Sequence, residues 1–300
     1  MSAEPLGTAD AVPRDVTLPD GRALRAYLTG DPAGLPVIVH HGTPCSGLLA
    51  PAWAADAAAR GIRLIGFDRA GYGGSSRQPG RGVAEVAADT AALADTLGVH
   101  RFRTWGVSGG GPHALACAAL LPDRVIAVAS VAGIAPREAD GLDWLAGMGQ
   151  DNLDEFGAAH RGEVALRAYL ASVRQALLSA TPASLADAMD SLLPEVDRAA
   201  LAHGMDQFVH AWMATGIREN ADGWVDDDLA FVRDWGFDLG QVNVPTLVLQ
   251  GEADLMVPKA HSSWLAAHVP GAQLRLEPGH GHLSLLDSIG TVHQWLLAHG

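Results

Sequence analysis

The sequence predicts an α/β fold: a mostly parallel central sheet flanked by helices, with a helical cap inserted between two of its strands. Three observations carry this expectation. Five runs, at 36–40, 63–67, 103–107, 125–131 and 245–250, are short and largely apolar, as parallel strands buried on both faces should be. Helical periodicity lies between them, so the units read as strand–helix–strand crossovers. The stretch from 133 to 244 holds no such run.

Ahead of the first run, 14–18 and 23–28 read as short strands joined by Pro19-Asp20-Gly21, a good hairpin turn. PVIVH (36–40) and RLIGF (63–67) follow. A helix over 83–97 places Val83, Val86, Ala87, Thr90, Leu93 and Leu97 on one face, and Gly98 stops it. RTWGV (103–107) leads into a helix over 112–121, and VIAVASV (125–131) leads into the long gap. There the periodicity predicts helices over 163–179 and 183–193. PTLVLQ (245–250) and a weaker strand at 273–276 come next. The last element is a helix over 285–297 with Leu285, Leu286, Ile289, Val292 and Leu296 on one face.

The 300 residues carry 20 basic and 34 acidic side chains, a net charge of −14, and are 48% hydrophobic. That is enough apolar material for a sizeable core. The charge argues against nucleic acid and against anionic membranes, both of which need clustered Lys and Arg. The longest apolar stretch is too short to span a bilayer. Residues 1–16 carry Glu4 and Asp10 and no apolar region, so no secretory leader is expected. Two cysteines, Cys45 and Cys117, make no disulfide framework and fit a reducing cytoplasm.

The charge is unevenly spread. Residues 137–240 hold 19 acids and 7 bases, a net −12, whereas the rest holds 15 acids and 13 bases, a net −2. The same stretch has four of the eight Trp, four of the six Phe and four of the six Met. This shift sets the expected boundaries: a core of 1–134 and 241–300, and a helical cap of 135–240.

The sharpest motif is Gly106-Val107-Ser108-Gly109-Gly110, between a buried strand and a helix. A strained turn there thrusts the Ser108 hydroxyl above the sheet edge, and glycines are needed where the backbone is crowded. A serine nucleophile needs donors for the oxyanion formed on attack. His40-His41-Gly42-Thr43-Pro44 can offer the Thr43 N–H, and Gly109 a second. The serine also needs a base, and the base an orienting acid. Gly251-Glu252-Ala253-Asp254 follows a strand at its carboxyl end, where sites of open α/β sheets form. Gly279-His280-Gly281-His282-Leu283-Ser284 lies near the C-terminus.

Taken in order, H-H-G-T-P (40–44), D-R-A-G-Y-G-G-S (68–75), G-V-S-G-G (106–110), G-E-A-D (251–254) and G-H-G-H-L-S (279–284) resemble a capped, esterase- or lipase-like α/β-hydrolase-fold serine hydrolase. The resemblance runs from about residue 37 to the C-terminus. It implies Ser108 as nucleophile, His282 as base, Asp254 as acid, and Thr43 and Gly109 as oxyanion donors. Family spacing favours Asp254 over Glu252, and His282 over His280. Asp68, Arg69 and Ser75 read as bracing a loop. Cys45 reads as a small buried residue. Dehalogenase and epoxide-hydrolase relatives carry Asp where Ser108 stands.

No cofactor is implied, and no metal. A zinc reading of His280-x-His282 would need Asp and His where Ser284 and Leu285 stand. No Gly-rich segment makes a dinucleotide or phosphate loop. Trp144, Phe156, Met205, Phe208 and Trp212 are expected to line an apolar pocket, with Tyr169, Met213 and Trp224 as further candidates. Asp226-Asp227-Asp228 reads as a solvated turn or helix start. The resulting expectation is a cytoplasmic monomer or homodimer that hydrolyses a small-to-medium, neutral, apolar ester or lactone through an acyl-enzyme. C–C bonds, amides or peptides and thioesters would use the same triad, and a ligand-binding member with vestigial catalysis is the remaining alternative. If the cap's acids face the entrance, anionic substrates are disfavoured, less so at high salt.

Overall fold

A computed structural model describes residues 11–299. Residues 1–10, on which the reading of a leader partly falls, lie outside that range. The elements run β1 Val12–Thr17, β2 Ala23–Gly30, β3 Leu35–His40, α1 Pro51–Ala59, β4 Ile62–Phe67, α2 Val86–Thr96, β5 Phe102–Val107, α3 Gly110–Leu120 and β6 Val125–Val131. After β6 come α4 Gln150–His160, α5 Glu163–Ser179, α6 Leu185–Ala188, α7 Glu195–Ala200, α8 Asp206–Ile217 and α9 Asp222–Phe231. The chain then returns through β7 Thr246–Gly251, α10 Lys259–His268, β8 Gln273–Glu277 and α11 Ile289–Ala298.

The eight strands form one sheet in the order β1-β2-β4-β3-β5-β6-β7-β8. β1, β2 and β4 pair antiparallel at one edge, and every pairing from β4 across to β8 is parallel. The five apolar runs are β3 to β7. Successive strand residues point to opposite faces, so the runs feed two cores. Val37, Val39, Leu64 and Trp105 pack with α1 and α11 on one face. Ile38, Ile65, Phe102 and Val128 pack with α2, α3 and α10 on the other. Helix α1 has little periodicity, but Pro51 at its first turn suits a helix start.

The segment between β6 and β7 carries its helices between Gln150 and Phe231, flanked by turns and irregular chain on both sides. Its buried side chains do not build a separate core. Leu166, Leu170, Trp212 and Ile217 join one sheet face, and Phe156 and Phe231 the other. The single helix expected over 183–193 is instead three short pieces, a 3₁₀ turn at Pro182–Ser184, α6, and a second turn at Asp190–Leu192. Pro194 is the reason for the stop: it disfavours helical backbone at Leu193, which is extended. The final helix is preceded by a 3₁₀ turn at Ser284–Ser288, so regular helix begins only at Ile289. Among the described residues, no helix is long and apolar enough to cross a membrane.

Candidate active site

Ser108 stands in the turn between β5 and α3 with φ of +54°, a conformation that costs a non-glycine residue of order 1–3 kcal/mol. The turn is possible only because its neighbours lack side chains. A Cβ on Gly106 would lie 2.0 Å from the Gly110 carbonyl oxygen, and one on Gly109 would lie 2.4 Å from Thr43 Oγ1. The second contact shows how closely the 40–44 loop presses on the serine turn. Thr43, Ser108 and Gly109 line one cavity of about 230 Å³. Among the described residues, the backbone N–H groups of Thr43 and Gly109 have no protein acceptor.

His282 lines the same cavity. Its Nδ1 lies 2.7 Å from Asp254 Oδ2. Asp254 is 4% exposed, yet fully provided for as a carboxylate. Oδ2 also accepts from Gln250 Nε2 at 2.9 Å, and Oδ1 accepts the N–H groups of Met256 and Val257 at 2.8 and 2.9 Å. Burial works against a charged His282 imidazole, but the carboxylates of Asp254 and then Asp197 outweigh it, so its pKa is raised. The rivals go elsewhere. Glu252 is exposed and faces Lys259 at 3.9 Å, and His280 Nδ1 turns to the Ser284 carbonyl at 3.1 Å.

Sheet order, serine turn and histidine–carboxylate pair therefore meet at the carboxyl ends of β3, β5 and β7. The α/β hydrolase fold family matches residues 36–289. The chain belongs to the α/β-hydrolase family. Across 90% of this hydrolase and 93% of the relative, it is 29% identical to a non-heme chloroperoxidase of Streptomyces lividans. A thermophilic esterase from Thermogutta terrifontis superposes with a TM-score of 0.70 at 20% identity, over 97% of this chain and 100% of that one. An enol-lactonase from Burkholderia xenovorans gives 0.65 at 20%, over 95% and 100%.

The hydrolase fastens its inserted helices onto three loops of the site. At the loop after β3, Trp212 Nε1 donates to the Ser46 carbonyl and the Ser46 N–H returns to the Trp212 carbonyl. In α9, Asp227 accepts from Thr43 Oγ1, Arg69, Tyr72 and Arg81 at 2.5–2.8 Å. Burial acts to raise its pKa, but Arg69 and Arg81 hold it well below the usual carboxylate range. At the loop after β7, Asn152 Nδ2 donates to the Met256 carbonyl at 2.8 Å. At the loop after β8, Asp197 accepts the His282 N–H at 2.7 Å.

The expectation for Asp226, Asp227 and Asp228 is overturned: all three are buried in α9, at 1%, 0% and 1% exposure. Asp226 pairs with Arg77 at 2.8 Å. Asp228 lines the cavity with Glu155 of α4. Burial pushes Glu155 up to about 6, and burial with the nearby Glu155 charge pushes Asp228 well above its ordinary value. Trp224 Nε1 donates to Glu155 Oε1 at 2.8 Å. A run of three acids inside Gly-Trp-Val…Leu-Ala-Phe carries a readable signal, since apolar residues flank it on both sides.

Of the expected pocket residues, Phe156 and Trp212 line the cavity, with Tyr169, Met213 and Trp224. Trp144, Met205 and Phe208 do not. Trp144 stands behind Phe156, edge-on at 4.6 Å, and donates to the Ala135 carbonyl. Phe208 stacks on Trp212 at 5.4 Å. Met205 packs against the core cluster from outside the cavity. Large apolar side chains in the insert are divided between wall and support, which composition alone does not separate. Cys45 also lines the cavity, but burial pushes its thiol far up, away from thiolate chemistry. Asp68 braces its loop as read, accepting the N–H groups of Gly47 and Gly74.

Proposed function

We propose that this hydrolase is a serine hydrolase that cleaves small-to-medium, largely apolar esters or lactones, with the inserted helices acting as its cap. The observation that carries the reading is Ser108, strained at φ +54° on the wall of an apolar cavity it shares with the His282–Asp254 pair. His282 Nε2 takes the Ser108 proton as Oγ attacks the substrate carbonyl carbon. Asp254 holds Nδ1–H, which fixes the tautomer and stabilises the imidazolium. The Thr43 and Gly109 N–H groups receive the oxyanion. His282 then passes the proton to the leaving oxygen, and water activated by the same base frees the acid. The esterase and lactonase named among the structural neighbours support a carboxylic ester bond as the target.

A panel of p-nitrophenyl esters of increasing chain length tests this. The wild type should favour short to medium acyl chains and label with a fluorophosphonate. Ser108→Ala should fold but lose at least about 1000-fold in kcat. Near-full activity of that variant would overturn the assignment. A folded wild type that never labels would favour a ligand-binding protein instead.

A further inference from the structure

Asp197 has no place in the chemistry above, yet it is wholly buried and every hydrogen bond it accepts comes from the loop that carries His282. Oδ2 accepts the His282 N–H at 2.7 Å. Oδ1 accepts the Ser284 N–H at 2.9 Å and the Ser284 hydroxyl at 2.7 Å. Ser284 Oγ in turn accepts the Gly281 N–H at 2.8 Å, which closes the loop on itself. The carboxylate sits so close that a Cβ on Gly281 would lie 2.5 Å from Oδ2. Asp197 belongs to α7, part of the inserted helices and 85 residues from His282 in sequence.

Helix α7 is tied to the cavity wall. Ala188, Met189 and Leu192 line the cavity just before it. Arg198, the next residue in α7, donates to the Asp190 carbonyl at 2.6 Å and pairs with its carboxylate. The segment that would touch an acyl group is thus linked through one helix turn to the backbone of the base.

We propose that Asp197 is a positioning residue: its carboxylate clamps the 281–284 loop from the insert, sets the aim of the His282 imidazole, and adds a second negative charge beside Asp254. The charged groups around His282 are consistent with this division. Asp254 reaches the ring from the loop after β7, Asp197 reaches the backbone from α7, and His280 on the same loop is turned to Ser284. Glu155, Asp228 and Asp151 lie on the cavity wall contributed by α4 and α9. Asn at 197 keeps the size but presents an N–H₂ to one of the loop donors, and it removes the charge. Misaiming a catalytic group by about 1 Å costs on the order of 100-fold.

The inference rests on His282 as the base of Ser108, and the two can fail separately. The wild type and Asp197→Asn are compared for fluorophosphonate labelling and for kcat, KM and the pH profile on a short p-nitrophenyl ester. Asp197→Asn should stay folded by circular dichroism, lose about 10- to 100-fold in kcat with little change in KM, and show an acid limb moved to lower pH. The direction follows from losing a negative charge near His282, which makes the imidazolium easier to deprotonate. Asp15→Ala, which removes an exposed ion pair with Arg25 at the β1 edge of the sheet, should change none of these. Absence of labelling in the wild type sinks the base assignment itself. Normal labelling with an unchanged kcat and acid limb in Asp197→Asn overturns the positioning role alone. Should that variant not fold, Ser284→Ala carries the test. It removes one donor to Asp197 and the acceptor of the Gly281 N–H but leaves the charge, so kcat should fall several-fold with the acid limb in place, and an unchanged kcat would overturn the proposal.

Discussion

Glu155 keeps its proton to higher pH than a carboxyl in water does. Its pKa is raised from 4.5 to about 6, first by burial, against the Trp224 hydrogen bond that favours the anion. The unfolded chain gives up this proton near 4.5, so folding holds an extra proton between about pH 4.5 and 6. Stability therefore falls as pH rises through that window, and the penalty is fully present above it. Glu155→Gln keeps an acceptor for Trp224 and offers a donor to Asp228. Its unfolding free energy in urea should exceed that of the wild type at pH 8, by up to about 2 kcal/mol, and match it at pH 4. An equal gap at both values would show that packing, not the proton, sets the difference.

At the scale of elements, α9 is the clearest case of a helix that does two jobs. Its apolar residues close the cavity while Asp227 neutralises Arg69 and Arg81, at 1% and 5% exposure. Asp227→Asn leaves two buried guanidinium groups uncompensated and should cost about 3–5 kcal/mol in a urea titration. Asp15→Ala, which removes the exposed partner of Arg25, should cost about 0.5 kcal/mol or less. Comparable losses would contradict the role given to the buried network. The strands and the three loops after β3, β5 and β7 were legible in the sequence for a local reason. A strand buried on both faces must be apolar along its length, and each loop motif follows its strand directly. The insert was legible only as a helical, acidic stretch. Asp197 and Asp227 act on partners 85 and 158 residues away, and no local pattern announces such a pairing. Trp144 and Trp212 look alike in sequence, and only their second layer of neighbours decides which one faces the cavity.

Across the whole molecule, the excess negative charge of residues 137–240 is not simply a solvated coat. Asp222, Asp226 and Asp227 pair with Arg77, Arg69 and Arg81, which lie before β5, while Glu155 and Asp228 line the cavity. Part of this charge, at Glu155, lies on the cavity wall where a substrate meets it, which alters the salt dependence expected from sequence. An ester with a carboxylate on its acyl chain should lose about tenfold or more in kcat/KM against its neutral isostere. Because buried charge is poorly screened, 0.5 M salt should restore little of that loss. Equal rates for the two esters would remove the argument. The inward carboxylates also bear on inheritance. The insert is one contiguous segment, and in principle a relative could exchange it whole to acquire a new substrate. Here such an exchange is constrained at two points. An incoming segment without a counterpart of Asp227 would strand the arginines of its host, and one without a counterpart of Asp197 would leave the histidine loop unheld. Specificity in this scaffold can therefore drift freely at the cavity wall, through residues such as Met189 or Phe156, while wholesale replacement must bring both acids along.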